Sequence, residues 1–133
     1  MGTLTPFLLS TDARSQAEFY TRSLGGEIVS IITHGEVMGE QGDPKDKVIH
    51  LCLSIADGNA IFMADTMKST PDGSDVLLNI SYKTEAEARE AFQKLALGGN
   101  VRFPLELQPF GYYGEVQDQY GVSWMITADS EIL

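Results

Sequence analysis

Thr84-Glu85-Ala86-Glu87-Ala88-Arg89-Glu90-Ala91-Phe92-Gln93-Lys94-Leu95-Ala96-Leu97-Gly98-Gly99 is the stretch that decides the fold. It reads as a helix with both ends specified. Thr84 and Glu87 have capping-box spacing, in which each satisfies a backbone donor of the other. Ala88, Ala91, Phe92 and Leu95 fall on one face at helical spacing. Glu85→Arg89 and Glu90→Lys94 support the wet side at i,i+4. Gly98-Gly99 then stops the helix with a residue that tolerates the left-handed conformation.

Thr11 to Gly26 follows the same plan. An offset of about 73 residues lays Thr11 on Thr84, Phe19 on Phe92, Leu24 on Leu97 and Gly25-Gly26 on Gly98-Gly99. Thr11 or Asp12 can cap this earlier helix. Its face carries Ala13, Ala17, Tyr20 and Leu24. The two faces agree only to about one position, so the repeat is one of structure.

Strands complete each copy. The short apolar run Leu4 to Leu9 comes before the first helix, and Glu27 to Thr33 follows it. A polar loop with Gly35, Gly39, Gly42 and Pro44 runs from His34 to about Lys47. Val48–Ile55 and Asn59–Ala64 are two further strands, joined at Asp57-Gly58, a strong hairpin signal because a tight turn needs positive φ. The order then restarts with Val76–Tyr82, the second helix, and strands near Asn100–Phe103, Tyr112–Gln117 and Val122–Thr127. Ser69 to Ser74, with Pro71 and Gly73, is the expected linker. The fold class is therefore α+β, two βαβββ modules at 1–68 and 75–133 of a single domain spanning 1–133.

Composition limits the functions. Nine basic against nineteen acidic side chains give a net charge of −10. Nucleic acid and anionic membrane surfaces both reward clustered Lys and Arg, so neither is an expected partner. Cys52 is the single cysteine, which excludes an internal disulfide and the Cys-pair zinc motifs. Residues 1–11 show no signal-peptide pattern, and no stretch approaches the ~20 apolar residues that span a bilayer. These features predict a cytoplasmic protein.

With both modules in place, the chain resembles the PhnB-like branch of the glyoxalase, or vicinal-oxygen-chelate, superfamily. The resemblance rests on Leu4-Thr5-Pro6-Phe7-Leu8, on Ala17-Glu18-Phe19-Tyr20 leading to Leu24-Gly25-Gly26-Glu27, and on Lys47-Val48-Ile49-His50. It continues through Phe110-Gly111-Tyr112 and Val116-Gln117-Asp118 to Tyr120-Gly121-Val122-Ser123-Trp124-Met125-Ile126. It implies two cupped half-sheets around a cavity, and a homodimer. The branch often carries a demethylubiquinone methyltransferase label. Nothing in this sequence resembles a Gly-rich nucleotide-binding loop, so that activity is not carried over.

Metal-using members of the superfamily place one His, Glu or Gln on the first and last strand of each module. By the resemblance, those places fall near Thr5, Met63, Leu78 and Met125, and a one-residue slip gives Phe62 or Asn79. None offers the imidazole, carboxylate or thiolate that a divalent cation needs. The resemblance thus implies no metal and no other cofactor.

Alternation along Val48–Ile55 puts His50, Cys52 and Ser54 on one face, with Ile49, Leu51, Leu53 and Ile55 on the helix face. Across the hairpin, Ile61 and Met63 are expected beside His50 and Cys52. His50 is a candidate acid/base, or else a buried histidine satisfied by a neighbour. Cys52 is a candidate contact or nucleophile, or else a small hydrophobe. His34 and Glu36 at the loop mouth can form a metal trio with His50, or be solvated. Tyr113 and Glu115 share a face and can assist His50, and Tyr112 is a further contact; the alternative is packing. Trp124 points to the helix side. Thr5, Cys52, Met63, Asn79, Tyr112 and Met125 are the expected ligand contacts, and Met63 with Met125 would make an adaptable apolar wall.

The reading that follows is metal-free binding of a small apolar or aromatic ligand. The alternative is a lyase-, isomerase- or transferase-type enzyme using His50 with Glu115 or Tyr113. A third is a domain whose main business is pairing.

Overall fold

The computed structural model describes residues 2–38, 46–66, 76–109 and 111–129. The 69–74 linker and most of the loop before Lys47 lie outside them. The chain divides into two compact units, Met1–Thr70 and Pro71–Leu133.

The first unit runs β1 (Phe7–Ser10), α1 (Ala13–Leu24), β2 (Gly26–Thr33), α2 (His34–Met38), β3 (Val48–Ile55) and β4 (Asn59–Asp65). The second runs β5 (Leu78–Tyr82), α3 (Glu85–Leu95), β6 (Asn100–Gln108), β7 (Gly111–Gln117) and β8 (Ser123–Ala128). The sheet orders are β1-β4-β3-β2 and β5-β8-β7-β6. In each, the first strand pairs parallel with the last and the other pairs are antiparallel. The fold is α+β, built from two similar βαβββ modules.

Helix capping corrects the repeat by one residue. The α1 cap is Asp12, which accepts from the Ser15 N–H at 3.2 Å, and the α3 cap is Thr84, which accepts from Glu87 N–H at 3.2 Å. Aligning these caps lays Gln16, Phe19, Tyr20 and Ser23 on Ala88, Ala91, Phe92 and Leu95, and all eight are buried. Tyr20, not Phe19, is therefore the counterpart of Phe92. The exit glycines Gly25 (φ 77°) and Gly98 (φ 76°) keep the original offset, because the α3 exit is one residue longer. Just beyond them, a Cβ on Gly26 would overlap the Ser54 carbonyl, and one on Gly99 the Gln117 carbonyl. Glycine lets each helix return tightly against its sheet.

The β3–β4 turn changes a side-chain assignment. Ile55 pairs with Asn59, so the connection is the three residues Ala56-Asp57-Gly58, with φ of 46°, 66° and 98°. A two-residue turn would have set Cys52 opposite Met63; three residues set Cys52 opposite Phe62 and Leu51 opposite Met63. A one-residue slip moves every side chain to the other face. Met63 is consequently fully buried on the helix side, with Ile61, and Phe62 takes the place on the open face where Met63 was expected.

In each unit the helix covers one face of its sheet. The core holds Ala17, Tyr20, Leu51, Leu53 and Met63 in the first unit, and Phe92, Leu95, Val116, Trp124 and Ile126 in the second. Gly114 makes room for Phe92, since a Cβ there would sit 2.8 Å from Phe92 Cε2 and 2.9 Å from Leu105 Cα.

One carboxylate ties each unit together. Asp65 accepts from Ala13 N–H (2.7 Å) and Val48 N–H (2.8 Å), joining the α1 N-terminus to the start of β3. Asp118, buried, accepts from the N–H groups of Tyr120 (2.8 Å) and Val122 (3.1 Å) and from Trp124 Nε1–H (2.8 Å). Among the described residues no helix is long and apolar enough to cross a membrane.

Candidate functional site

The face of each sheet left uncovered by its helix carries the candidate residues. In the first unit, β3 presents His50, Cys52 and Ser54 there. β4 adds Phe62 opposite Cys52, and β1 adds Phe7 opposite Phe62. β2 completes the row with Ile32 opposite His50 and Ser30 opposite Cys52. The rings of Phe62 and His50 have centroids 4.7 Å apart, and Phe7 meets His50 edge-on at 5.9 Å and Phe62 at 6.4 Å. These spacings lie in the favourable range for aromatic pairs. Phe7 is 50% exposed and Ile32 41% exposed, so this apolar group faces solvent. Thr5 precedes β1 by two residues and is half-buried; Phe7 is the side chain that the strand itself presents.

The open face of the second unit is polar. Asn79 stands opposite Met125, and Ser81 opposite Thr127. The Ser81 and Thr127 hydroxyls are 2.9 Å apart, and Thr127 Oγ1 donates to Asn79 Oδ1 at 3.4 Å. On β7 the Tyr113 hydroxyl donates to Glu115 Oε2. That hydrogen bond to the carboxylate, aided by burial and by its charge, raises the Tyr113 phenol above the ordinary tyrosine value. Glu115 faces Met125 on one side and Phe103 on the other, while Glu106 stands opposite Tyr113. Phe103, Pro104, Glu106, Gln108 and Tyr113 line a pocket of about 270 Å³.

Several expected contacts separate from these groups. Tyr112 lies on the helix side with Gly114 and Val116, and its hydroxyl hydrogen-bonds Glu85 of α3, helping Arg89 to hold that carboxyl below its ordinary range. Leu78 pairs with Trp124 on the helix side, leaving Asn79 to face outward. Glu36 forms a capping box with Thr33: its carboxylate accepts from Thr33 N–H, and its own N–H donates to Thr33 Oγ1, both at 3.3 Å. The helical turn α2 thus begins the expected polar loop, and the carboxylate of Glu36 is engaged there.

Of the places the resemblance pointed to, Thr5 precedes β1, Met63 and Leu78 lie on the helix side, and Phe62, Asn79 and Met125 lie on the open faces of their own sheets. None of these side chains supplies the imidazole, carboxylate or thiolate that a divalent cation needs. His34, Glu36 and His50 are not brought together either: among the described residues, no group of three or more His, Cys, Asp or Glu is placed to hold a metal.

Residues that sequence reading did not single out are Phe7, Phe103, Glu106 and Gln108. The signal for Phe7 was its place within the quoted opening motif. The β6 residues gave no such signal, because the expected strand stopped at Phe103. In the structure β6 continues through Pro104 to Gln108, with register shifts between Val101 and Phe103 and between Phe103 and Glu106. Proline is tolerated there because β6 is an edge strand.

Comparison with known proteins agrees with this architecture. A family model described as 3-demethylubiquinone-9 3-methyltransferase matches residues 2–127. Protein YjdN of Escherichia coli (strain K12) is 30% identical, over 92% of this chain and 92% of its own. The PhnB protein of Bacillus cereus, titled as a 3-demethylubiquinone-9 3-methyltransferase, has a structure with TM-score 0.78 at 30% identity, covering 96% of this chain and 99% of that one. A Pseudomonas aeruginosa protein superposes with TM-score 0.83 at 26% identity, covering 97% and 98% of the two chains. A glyoxylase/bleomycin resistance protein/dioxygenase domain from Frankia sp. EAN1pec shares the fold, with TM-score 0.70 at 16% identity over 100% and 95%. The chain belongs to the family that this model describes, a PhnB-like family, and has the glyoxalase/bleomycin resistance/dioxygenase fold.

Proposed function

We propose that this protein binds a small aromatic or apolar molecule on the open faces of its sheets, without a metal or other cofactor. The observation that carries this reading is the Phe7–His50–Phe62 ring cluster, half-exposed and flanked by Ile32 and Cys52. Rings left in water on a rigid sheet gain most from an apolar partner, because burial returns roughly 25 cal/mol per Å² of apolar surface. The side chains at the places named by the resemblance, Thr5, Phe62, Asn79 and Met125, are unsuitable donors for a divalent cation, which supports the metal-free part. We place the protein in the cytoplasm as a homodimer with no nucleic-acid or membrane partner, in keeping with its charge of −10 and lone cysteine. Sedimentation equilibrium tests the dimer.

Elemental analysis with native mass spectrometry, on untagged protein purified without chelator, tests the main reading. A co-purified organic molecule without stoichiometric metal is the expected result. Stoichiometric Zn, Ni, Fe or Mn would overturn the metal-free reading. Unchanged binding of aromatic probes by Phe62→Ala would overturn the role of the rings.

A second reading is a lyase-, isomerase- or transferase-type enzyme with His50 as acid/base and Glu115 or Tyr113 assisting. The Tyr113–Glu115 hydrogen bond favours it, since it holds the two candidate assistants together on one face of β7. His50→Ala with unchanged turnover of a discovered substrate would dispose of this reading.

A further inference from the structure

We propose that the pocket between β6 and β7 takes the positively charged nitrogen of an organic ammonium ligand, with Glu106 in its lining and the neighbouring Glu115, hydrogen-bonded to Tyr113, as counter-charges and Phe103 and Tyr113 as walls. The inference rests on the binding reading above and names the chemical class of the ligand.

Four observations on the second unit lead to it. The first is a real concavity, about 270 Å³ in volume. That is slightly below the ~300–1,000 Å³ typical of whole drug-sized ligands, and it suits one end group of such a molecule. The second is placement of charge. Glu106 lies directly across from Tyr113, and Glu115 lies directly across from Phe103, so carboxylates stand at diagonal corners of a four-residue patch. The third is what fills the other two corners, namely the rings of Phe103 and Tyr113. Aromatic faces carry negative quadrupole charge and attract cations at the same sites that carboxylates do. The fourth is the absence of competition: among the described residues the ion pairs are Arg89–Glu85 and Lys94–Glu90, both within α3, so neither Glu106 nor Glu115 is in one.

The local geometry sets roles. Tyr113 donates to Oε2 of Glu115, which orients that carboxylate while leaving its other oxygen for an N–H donor. Gln108 at the rim adds an amide, and Pro104 stiffens the edge strand at the second register shift. An anionic ligand would meet the repulsion of two carboxylates. A neutral ligand would meet the same walls with no use for the charges. The net charge of −10 also favours the approach of cations.

The test is calorimetric titration of the whole chain with three probes of one shape: 2-naphthylmethylammonium, 2-naphthylmethanol and 2-naphthoate. The expected order has the ammonium about tenfold tighter than the alcohol at low salt, with the carboxylate weakest. In the Glu106→Gln/Glu115→Gln double variant, the ammonium should fall to the level of the alcohol while the alcohol is unchanged. A Glu18→Gln/Asp57→Asn variant, altered on the first unit's helix and hairpin turn, makes the same change in net charge and should keep the preference. If that control loses the preference equally, the effect belongs to the overall charge and the pocket assignment is overturned. If the alcohol and the ammonium bind within about twofold of each other, the cation inference fails while the binding reading stands. If none of the probes binds, both fail together.

Discussion

The two modules fold by the same plan and present opposite chemistry. Apart from the short α2 of the first, both run β, α, β, β, β, both seal the helix exit with a positive-φ glycine, and both use a second glycine where the chain returns across the sheet. On its uncovered face, however, the first gathers Phe7, Phe62, Ile32 and His50 into an apolar group beside Cys52, Ser30 and Ser54, while the second sets Asn79, Ser81, Thr127, Tyr113 and Glu115 around Met125 and Phe103. The helix faces are constrained by packing and so stay alike. The open faces have no helix to satisfy and are free to diverge. The difference teaches where function has room to vary in a repeated unit.

The carboxylate ties give the largest expected effects and break the symmetry of the comparison. Asp118→Ala strands three donors, including the buried Trp124 N–H, and should cost about 3–4 kcal/mol in urea unfolding. Asp65→Ala strands two backbone donors and should cost about 2 kcal/mol. Equal losses would mean that the two ties carry equal weight despite their different donor counts.

Next in size is Gly114→Ala. Its Cβ must displace Phe92 or the Leu105 backbone, an overpacking cost of about 2 kcal/mol. Pairing it with Phe92→Leu should recover part of that loss. Strict additivity in this double-mutant cycle would show that the two sites do not touch energetically.

Binding separates the open faces. Phe62→Ala should weaken an aromatic probe at least tenfold, about 1.4 kcal/mol, with little change in stability. Ser81→Ala on the other face should change the same affinity less than threefold, about 0.6 kcal/mol. Similar losses at both positions would erase the distinction between an apolar and a polar face.

The smallest expected effects are titrations. Ultraviolet difference spectra should show the Tyr113 phenol ionising above the ordinary tyrosine range, and Glu115→Gln should bring it back. Because the folded value is raised, the stability it contributes is full below the unfolded value of 10.0 and is lost as pH rises through the folded one. Glu85 runs the other way. Its value is lowered, chiefly by the Arg89 hydrogen bond, so its contribution is present above 4.5 and fades as pH falls through the lowered value. Both groups are partly open to solvent, so the effects on stability are slight.

Much of this was legible in the residues. Thr84 with Glu87, the i,i+4 pairs on α3, Gly25 and Gly98 at the helix exits, and the module order are all set by rules that act within a few positions. So is the face shared by His50, Cys52 and Ser54, since alternation within one strand is strictly local. The same rules put Trp124 on the helix side.

Partners across strands are a different matter. Whether Phe62 or Met63 stands beside Cys52 depended on the Ala56-Asp57-Gly58 turn having three residues instead of two, and sequence alone suits both lengths. The pocket formed only because β6 passes Pro104 through two register shifts, which bring Glu106 to Tyr113 and Phe103 to Glu115. The sequence by itself therefore determined the modules, their helix ends and which residues alternate together. Only the tertiary structure decided which side chains meet, because a single residue gained or lost in a turn or bulge moves a whole strand's side chains to the opposite face.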